Sequence, residues 1–77
     1  MAGEPVLLDA KGLRCPLPVL KARKAMKAMA AGEVLRVLST DPGAIKDFEA
    51  FCKTTGYRLL HQEQAGDVLT FEIEKTP

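Results

Sequence analysis

The chain alternates between strand-like and helix-like hydrophobic patterning. Residues 5–9, Pro-Val-Leu-Leu-Asp, are a short apolar, β-prone run ending before Gly12, and they predict a first strand. From Pro18 the period changes. At about 100° per residue Val19, Ala22, Ala25, Met26, Met29 and Ala30 share one side, which predicts a helix over 18–30 with that side as its core stripe and Gly32 as its cap. Residues 33–40 are apolar on both faces except at Arg36, the pattern of a central strand. Asp41-Pro42-Gly43 combines a turn with a helix start, Asp41 as N-cap and Pro42 at the first position. The second helix spans 43–55, with Ala44, Ile45, Phe48, Phe51 and Cys52 as its apolar stripe and Gly56 as its cap; Lys46, Asp47, Glu49 and Lys53 form its wet side. Residues 57–64 and 68–75 read as two strands joined through Ala65-Gly66-Asp67 in a hairpin. In the last of them Leu69, Phe71 and Ile73 alternate with Thr70, Glu72 and Glu74, so one face is buried and one wet.

The order βαβαββ predicts an α/β fold, an α+β two-layer sandwich with a four-stranded sheet covered on one face by two helices. At 77 residues the chain has room for one domain, 1–77, near the lower size limit for a core without staples. Trp is absent and aromatics are few, so Leu, Val, Ile, Ala and Met must build that core. If the first three strands are parallel, each helix returns against them. Both helix N-termini then lie at the carboxyl ends of the strands, where open sheets bind ligands, and Cys15 comes close to Asp41-Pro42-Gly43.

Net charge is only +1, but it is unevenly placed. Lys11, Arg14, Lys21, Arg23, Lys24 and Lys27 occur within residues 10–32 with no acid among them, whereas the rest of the chain holds five basic residues and ten acidic ones. That asymmetry points to a face prepared for an acidic partner, with ordinary lysine solvation of a helix exterior as the alternative. Leu17 and Leu20 fall on the basic side; they are either an apolar anchor for that partner or covered by the loop near Asp41. Two cysteines are too few for a disulfide scaffold, and residues 1–5 lack the basic and apolar regions of a signal peptide. With no long apolar run for a membrane, the chain reads as cytoplasmic with reduced thiols.

The chemistry centres on Gly12-Leu13-Arg14-Cys15-Pro16-Leu17-Pro18. Pro16 and Pro18 each bias the preceding residue away from the α region, so the helix starts no earlier than about Leu17, with Pro18 suited to its first position. Cys15 is then a thiol on a stiff extended segment ahead of a helix N-terminus. A helix end contributes about 0.3–1 kcal/mol to a nearby charge. With Arg14 and Lys11 as neighbours, the thiol pKa is expected to fall by roughly one unit from about 8.5. The competing reading is a small buried hydrophobe in a proline turn. Cys52, about ten residues into the second helix and facing the core, is structural; it lies roughly 15 Å along that helix, too far for a disulfide with Cys15. His61, the only histidine, reads as a solvated strand residue. Cys15, Cys52 and His61 have no ligand spacing, so no metal is expected.

The stretch from Leu8 to Lys21, with its Cys-Pro-x-Pro core at Cys15-Pro16-Leu17-Pro18, resembles the signature of the TusA-like (SirA/YhhP) family of small sulfur carriers. The resemblance extends to Thr40-Asp41-Pro42-Gly43 and to Phe51-Cys52 followed by Gly56, and so covers nearly the whole chain. It implies strand order 1-2-4-3 with only the last strand antiparallel. Functionally it implies a sulfurtransferase-type persulfide carrier on Cys15, acting within a relay more than as a stand-alone enzyme and needing no cofactor. Gly12, Arg14, Pro16 and Pro18 would position the thiol; Leu17, Leu20, Lys21, Arg23, Lys24 and Lys27 would meet partners. The implied donors are a cysteine desulfurase or a rhodanese-like protein, and the acceptors serve tRNA thiolation, sulfur oxidation or cofactor assembly. Two rivals come from other classes. A regulatory module binding nucleic acid or protein through the basic helix is weakened, for nucleic acid, by the near-neutral total charge and the lack of an aromatic platform. A thiol–disulfide oxidoreductase would need a resolving cysteine, for which Cys52 is misplaced.

Overall fold

The computed structural model describes residues 4–77; Met1 to Gly3, the front of the segment read as lacking a leader, lie outside the described residues. Among the described residues the elements are β1 (Val6–Ala10), α1 (Leu17–Lys27), β2 (Val34–Ser39), α2 (Ala44–Thr55), β3 (Arg58–Ala65) and β4 (Val68–Glu74). The sheet order is β1-β2-β4-β3. β1 and β2 run parallel with Leu8 opposite Val37, while β4 is antiparallel to both β2 and β3. This is the mixed four-stranded sheet that the segment order and the resemblance called for, and β2 is central.

Alternation along the strands decides which face is covered. Leu35, Val37 and Ser39 of β2 and Leu69, Phe71 and Ile73 of β4 point under the helices and are buried. The other face stays open and carries Arg36 ion-paired to Glu72 at 2.6 Å. The few aromatics matter more than their number suggests: alongside the expected aliphatic side chains Phe48 anchors the core, stacked on Phe71 with centroids 4.6 Å apart and edge-on to Phe51 at 6.4 Å. From α1 the core takes Pro18, Ala22 and Met26, followed by Met29 just beyond the helix.

The structure corrects the helix boundaries. α1 ends at Lys27, three residues short of the expected end, because Ala28 and Met29 donate to Ala25 and Met26 in tighter i→i−3 turns. Ala30 is accordingly exposed, outside the core stripe assigned to it. Gly32 is not the helix cap; at φ +94° it turns the chain into β2 and donates to the Lys75 carbonyl at 2.7 Å. Pro18 occupies the second helical position and is buried. α2 starts at Ala44 with Gly43 as N-cap, so Asp41 and Pro42 precede the helix where the sequence suggested its cap and first turn.

The frayed end of α1 is closed from a distance: Lys75 Nζ donates to the carbonyls of Met26 and Met29, each at 2.6 Å. A cation there satisfies orphan acceptors and opposes the helix dipole. Charged hydrogen bonds contribute about 1.5–3 kcal/mol each and part of that is retained by water in the variant, so Lys75→Met should lower stability by about 1–3 kcal/mol. Urea unfolding would show a reduced midpoint at unchanged slope; an unchanged midpoint would mean that the ammonium contributes nothing there.

Candidate functional site

β1 delivers the chain to the carboxyl edge of the sheet, where Gly12, at φ +82°, makes a turn that a side chain would strain. Its N–H donates to Thr40 Oγ1 at 2.9 Å, which ties the loop after β1 to the end of β2. Arg14 to Leu17 then form a second turn, closed by the Leu17 N–H on the Arg14 carbonyl at 2.8 Å, with a cis peptide between Cys15 and Pro16. Cys15 is therefore displayed from a tight turn, not from the extended segment expected of it. Its thiol is exposed, whereas Cys52 is buried in the core.

The expected meeting of Cys15 with the β2–α2 loop is observed. The Asp41 carboxylate accepts the Cys15 N–H through Oδ2 and the Gly43 N–H through Oδ1, the latter at 3.2 Å. Asp41 thus braces the thiol turn against the start of α2 instead of capping the helix. A shallow depression lined by Gly12, Leu13, Arg14, Cys15, Thr40, Asp41 and Pro42 surrounds the sulfur.

The sequence places Asp47 on the wet side of α2; in the structure it is half-buried, and its Oδ2 accepts a hydrogen bond from Cys15 Sγ. This overturns the expected electrostatics. The hydrogen bond to Asp47, then partial desolvation and the charges of Asp47 and Asp41, push the Cys15 thiol up to about 11, where a lowered value was expected. A helix dipole supplies only a fraction of a charge at a distance, while a carboxylate in contact supplies a full one. The sequence signal for Asp47 was its phase: at about 100° per residue it lies about 60° from Ala44 and borders the apolar stripe.

The remaining candidates separate. His61 lies on the open sheet face, where Nε2 contacts Glu63 Oε1 at 2.6 Å, and it shares a groove there with Leu7, Arg36 and Glu72, away from Cys15. Burial raises the Cys52 thiol. Leu17 and Leu20 are 46% and 51% exposed, so the loop near Asp41 does not cover them. With Lys21, Lys24 and Lys27 they form one exposed stripe of α1 beginning beside Cys15. Arg23 turns toward α2, its Cζ 5.5 Å from the Phe51 ring centroid, and shares a groove with Pro16 and Asp47. Among the described residues no cluster of metal-ligating side chains occurs, and no helix is long and apolar enough to cross a membrane.

The family model described as Sulfurtransferase TusA matches residues 6–75. The chain is 51% identical to the sulfur carrier protein TusA of Allochromatium vinosum over 69 residues, which are 90% of this chain and 91% of that one. It is likewise 51% identical to a putative sulfur carrier protein of Neisseria meningitidis, over 87% of this chain and 90% of that one. A crystal structure of a SirA-like protein from Desulfitobacterium hafniense superposes with a TM-score of 0.79 at 27% identity, covering 94% of this chain and 99% of that one. A match along almost the full length, in sequence and in fold, places this chain in the TusA sulfurtransferase family.

Proposed function

We propose that this sulfur carrier holds its cargo as a persulfide on Cys15 and passes it from a donor protein to an acceptor protein. The observation that supports the reading is the exposed thiol, presented from a braced turn with no resolving cysteine beside it. In loading, Cys15 Sγ bonds to the terminal sulfur of the donor's persulfide, the donor's S–S bond breaks, and the Cys15 proton passes to the departing donor sulfur. The exchange is redox-neutral and needs no cofactor. Delivery is the same step with Cys15 as the leaving sulfur.

Gly12 and Pro16 shape the turn, Pro18 anchors it in the core, and Arg14, which precedes Cys15, lines the depression around the sulfur. The stripe of Leu17, Leu20, Lys21, Lys24 and Lys27, with Arg23 at its margin, is the docking face for an acidic surface on the partner. Donors of the cysteine desulfurase or rhodanese-like class, and acceptors in tRNA thiolation, sulfur oxidation or cofactor assembly, fit that chemistry. An exposed free thiol suits a reducing compartment such as the cytoplasm.

The test is to mix the protein with such donors carrying labelled sulfur and measure the mass of the intact chain. One added sulfur, mapping to Cys15, is the expected result. Failure of every donor to load it, together with tight RNA binding that falls steeply with salt, would replace the carrier by a nucleic-acid module. Iodoacetamide should also label Cys15 well before Cys52, since access differs although both thiols are raised; equal rates would remove the distinction on which the assignment rests.

A further inference from the structure

The pair formed by Cys15 Sγ and Asp47 Oδ2 is not required to present a thiol, and a carboxylate against a nucleophilic sulfur opposes its ionisation. Thiol exchange runs through the thiolate. A free carrier built this way is therefore held in its less reactive form, even though the sulfur is exposed. The charged groups on each side define what can release it. From the β2–α2 loop comes Asp41, whose carboxylate already receives the Cys15 and Gly43 N–H groups. From α2 comes Asp47, and from the turn itself Arg14. From α1 comes Arg23, which lines the same groove as Asp47 but lies over the Phe51 ring.

We propose that Asp47 determines donor specificity: it holds the proton on Cys15 in the free carrier and yields it when a sulfur donor brings a cationic group against the Asp41–Asp47 side of the thiol. The inference rests on the carrier reading of Cys15. When a cation from the donor neutralises Asp47, the thiol loses its strongest acceptor and ionises more readily. Sγ then bonds to the donor's terminal sulfur, the donor's S–S bond breaks, and the released proton ends on the donor's departing sulfur. No outside oxidant or reductant enters. The matching partner surface has two signs: basic next to its own persulfide, and acidic where it meets Lys21, Lys24 and Lys27. A partner carrying acid at both places would leave the thiol protonated, so small adventitious electrophiles and wrong proteins are disfavoured together.

The test uses the whole protein and the variants Asp47→Asn and Asp47→Ser, both read by two assays independent of sulfur loading. The first is the pH profile of Cys15 alkylation by iodoacetamide. In wild type the rate should climb with pH toward an inflection at about 11. In the variants the inflection should fall toward the ordinary thiol range, about 8.5. A drop of about two and a half units raises the thiolate fraction about two hundredfold at pH 8 and lowers its nucleophilicity about ten- to twentyfold, for a net gain of about ten- to twentyfold. The second assay compares disulfide exchange with cystamine, which is cationic, and with neutral 2-hydroxyethyl disulfide. The cationic-to-neutral rate ratio should drop about two- to fivefold in the variants, the factor an exposed ion pair contributes. Circular dichroism on each variant checks the fold, and two replacements guard against one that fails. An unshifted inflection or an unchanged rate ratio in a folded variant overturns the proposal. If wild type still takes labelled sulfur on Cys15 in that event, the carrier stands without the lock; if no donor loads wild type, the carrier reading itself has failed.

Discussion

Cys15→Ser should abolish sulfur loading while leaving the fold intact. A serine hydroxyl at that position can still donate to Asp47, so the turn, its bracing by Asp41 and the local charge are retained. Only the atom that can form an S–S bond is lost. Because the side chain is exposed and outside the core, the stability change should stay within about 0.5 kcal/mol. Cys52→Ser should do the reverse. It places a hydroxyl among the core side chains of α2, where an unpaired polar group costs about 1–3 kcal/mol, yet it leaves the site untouched. Intact-mass measurement after exposure to donor, with urea unfolding alongside, separates the two. Loading that survives Cys15→Ser, or disappears in a folded Cys52→Ser, would mean that the sulfur is carried elsewhere.

The contrast between these cysteines was legible in the sequence because it depends on periodicity. Cys52 falls in phase with Ala44, Phe48 and Phe51, and that stripe is what the structure buries. Cys15 precedes a proline-marked helix start and stays outside. The closeness of Cys15 to Asp41 also followed, from parallel strands that put both helix N-termini at the carboxyl edge of the sheet. The polarity around the sulfur did not follow. Local neighbours Lys11 and Arg14 predict a depressed pKa, but Lys11 reaches back toward Asp9 at 4.0 Å and the dominant partner arrives from 32 residues away. Asp47 lies only about 60° from Ala44, on the border between the wet side and the buried stripe, and a one-dimensional pattern does not decide between the two at a border position. The end of α1 escaped for a similar reason. The helix gives way at Lys27 to i→i−3 turns, and the carbonyls left there are met by Lys75, 46 and 49 residues further along the chain.

The second large effect is expected at the docking face. Lys24→Glu with Lys27→Glu reverses two charges on the exposed stripe that runs along α1 from Cys15, changing the local charge by four. Steering by complementary charge raises association rates by about 10–10³-fold, so the rate of loading at low donor concentration should fall by about tenfold or more at low salt. Arg23 is better left in place for this test, because its guanidinium packs over Phe51 and reversal would disturb the groove beside Asp47. The two lysines also lie in the last turn of α1, where they complement the helix dipole. Their reversal should therefore cost about 0.3–1 kcal/mol each in stability, which urea unfolding measures separately. With a cysteine desulfurase or rhodanese-like donor, wild-type loading should slow steeply as salt shortens the screening length below about 10 Å, and the variant should be nearly insensitive. Alkylation of Cys15 by neutral iodoacetamide should change little in the same variant, since Lys24 and Lys27 are solvated and lie two to three turns along the helix at about 5.4 Å per turn. A variant that loads as fast as wild type at low salt would show that these lysines only solvate the helix. One that loses alkylation and loading together would mean that the charges act on the thiol and not on the encounter.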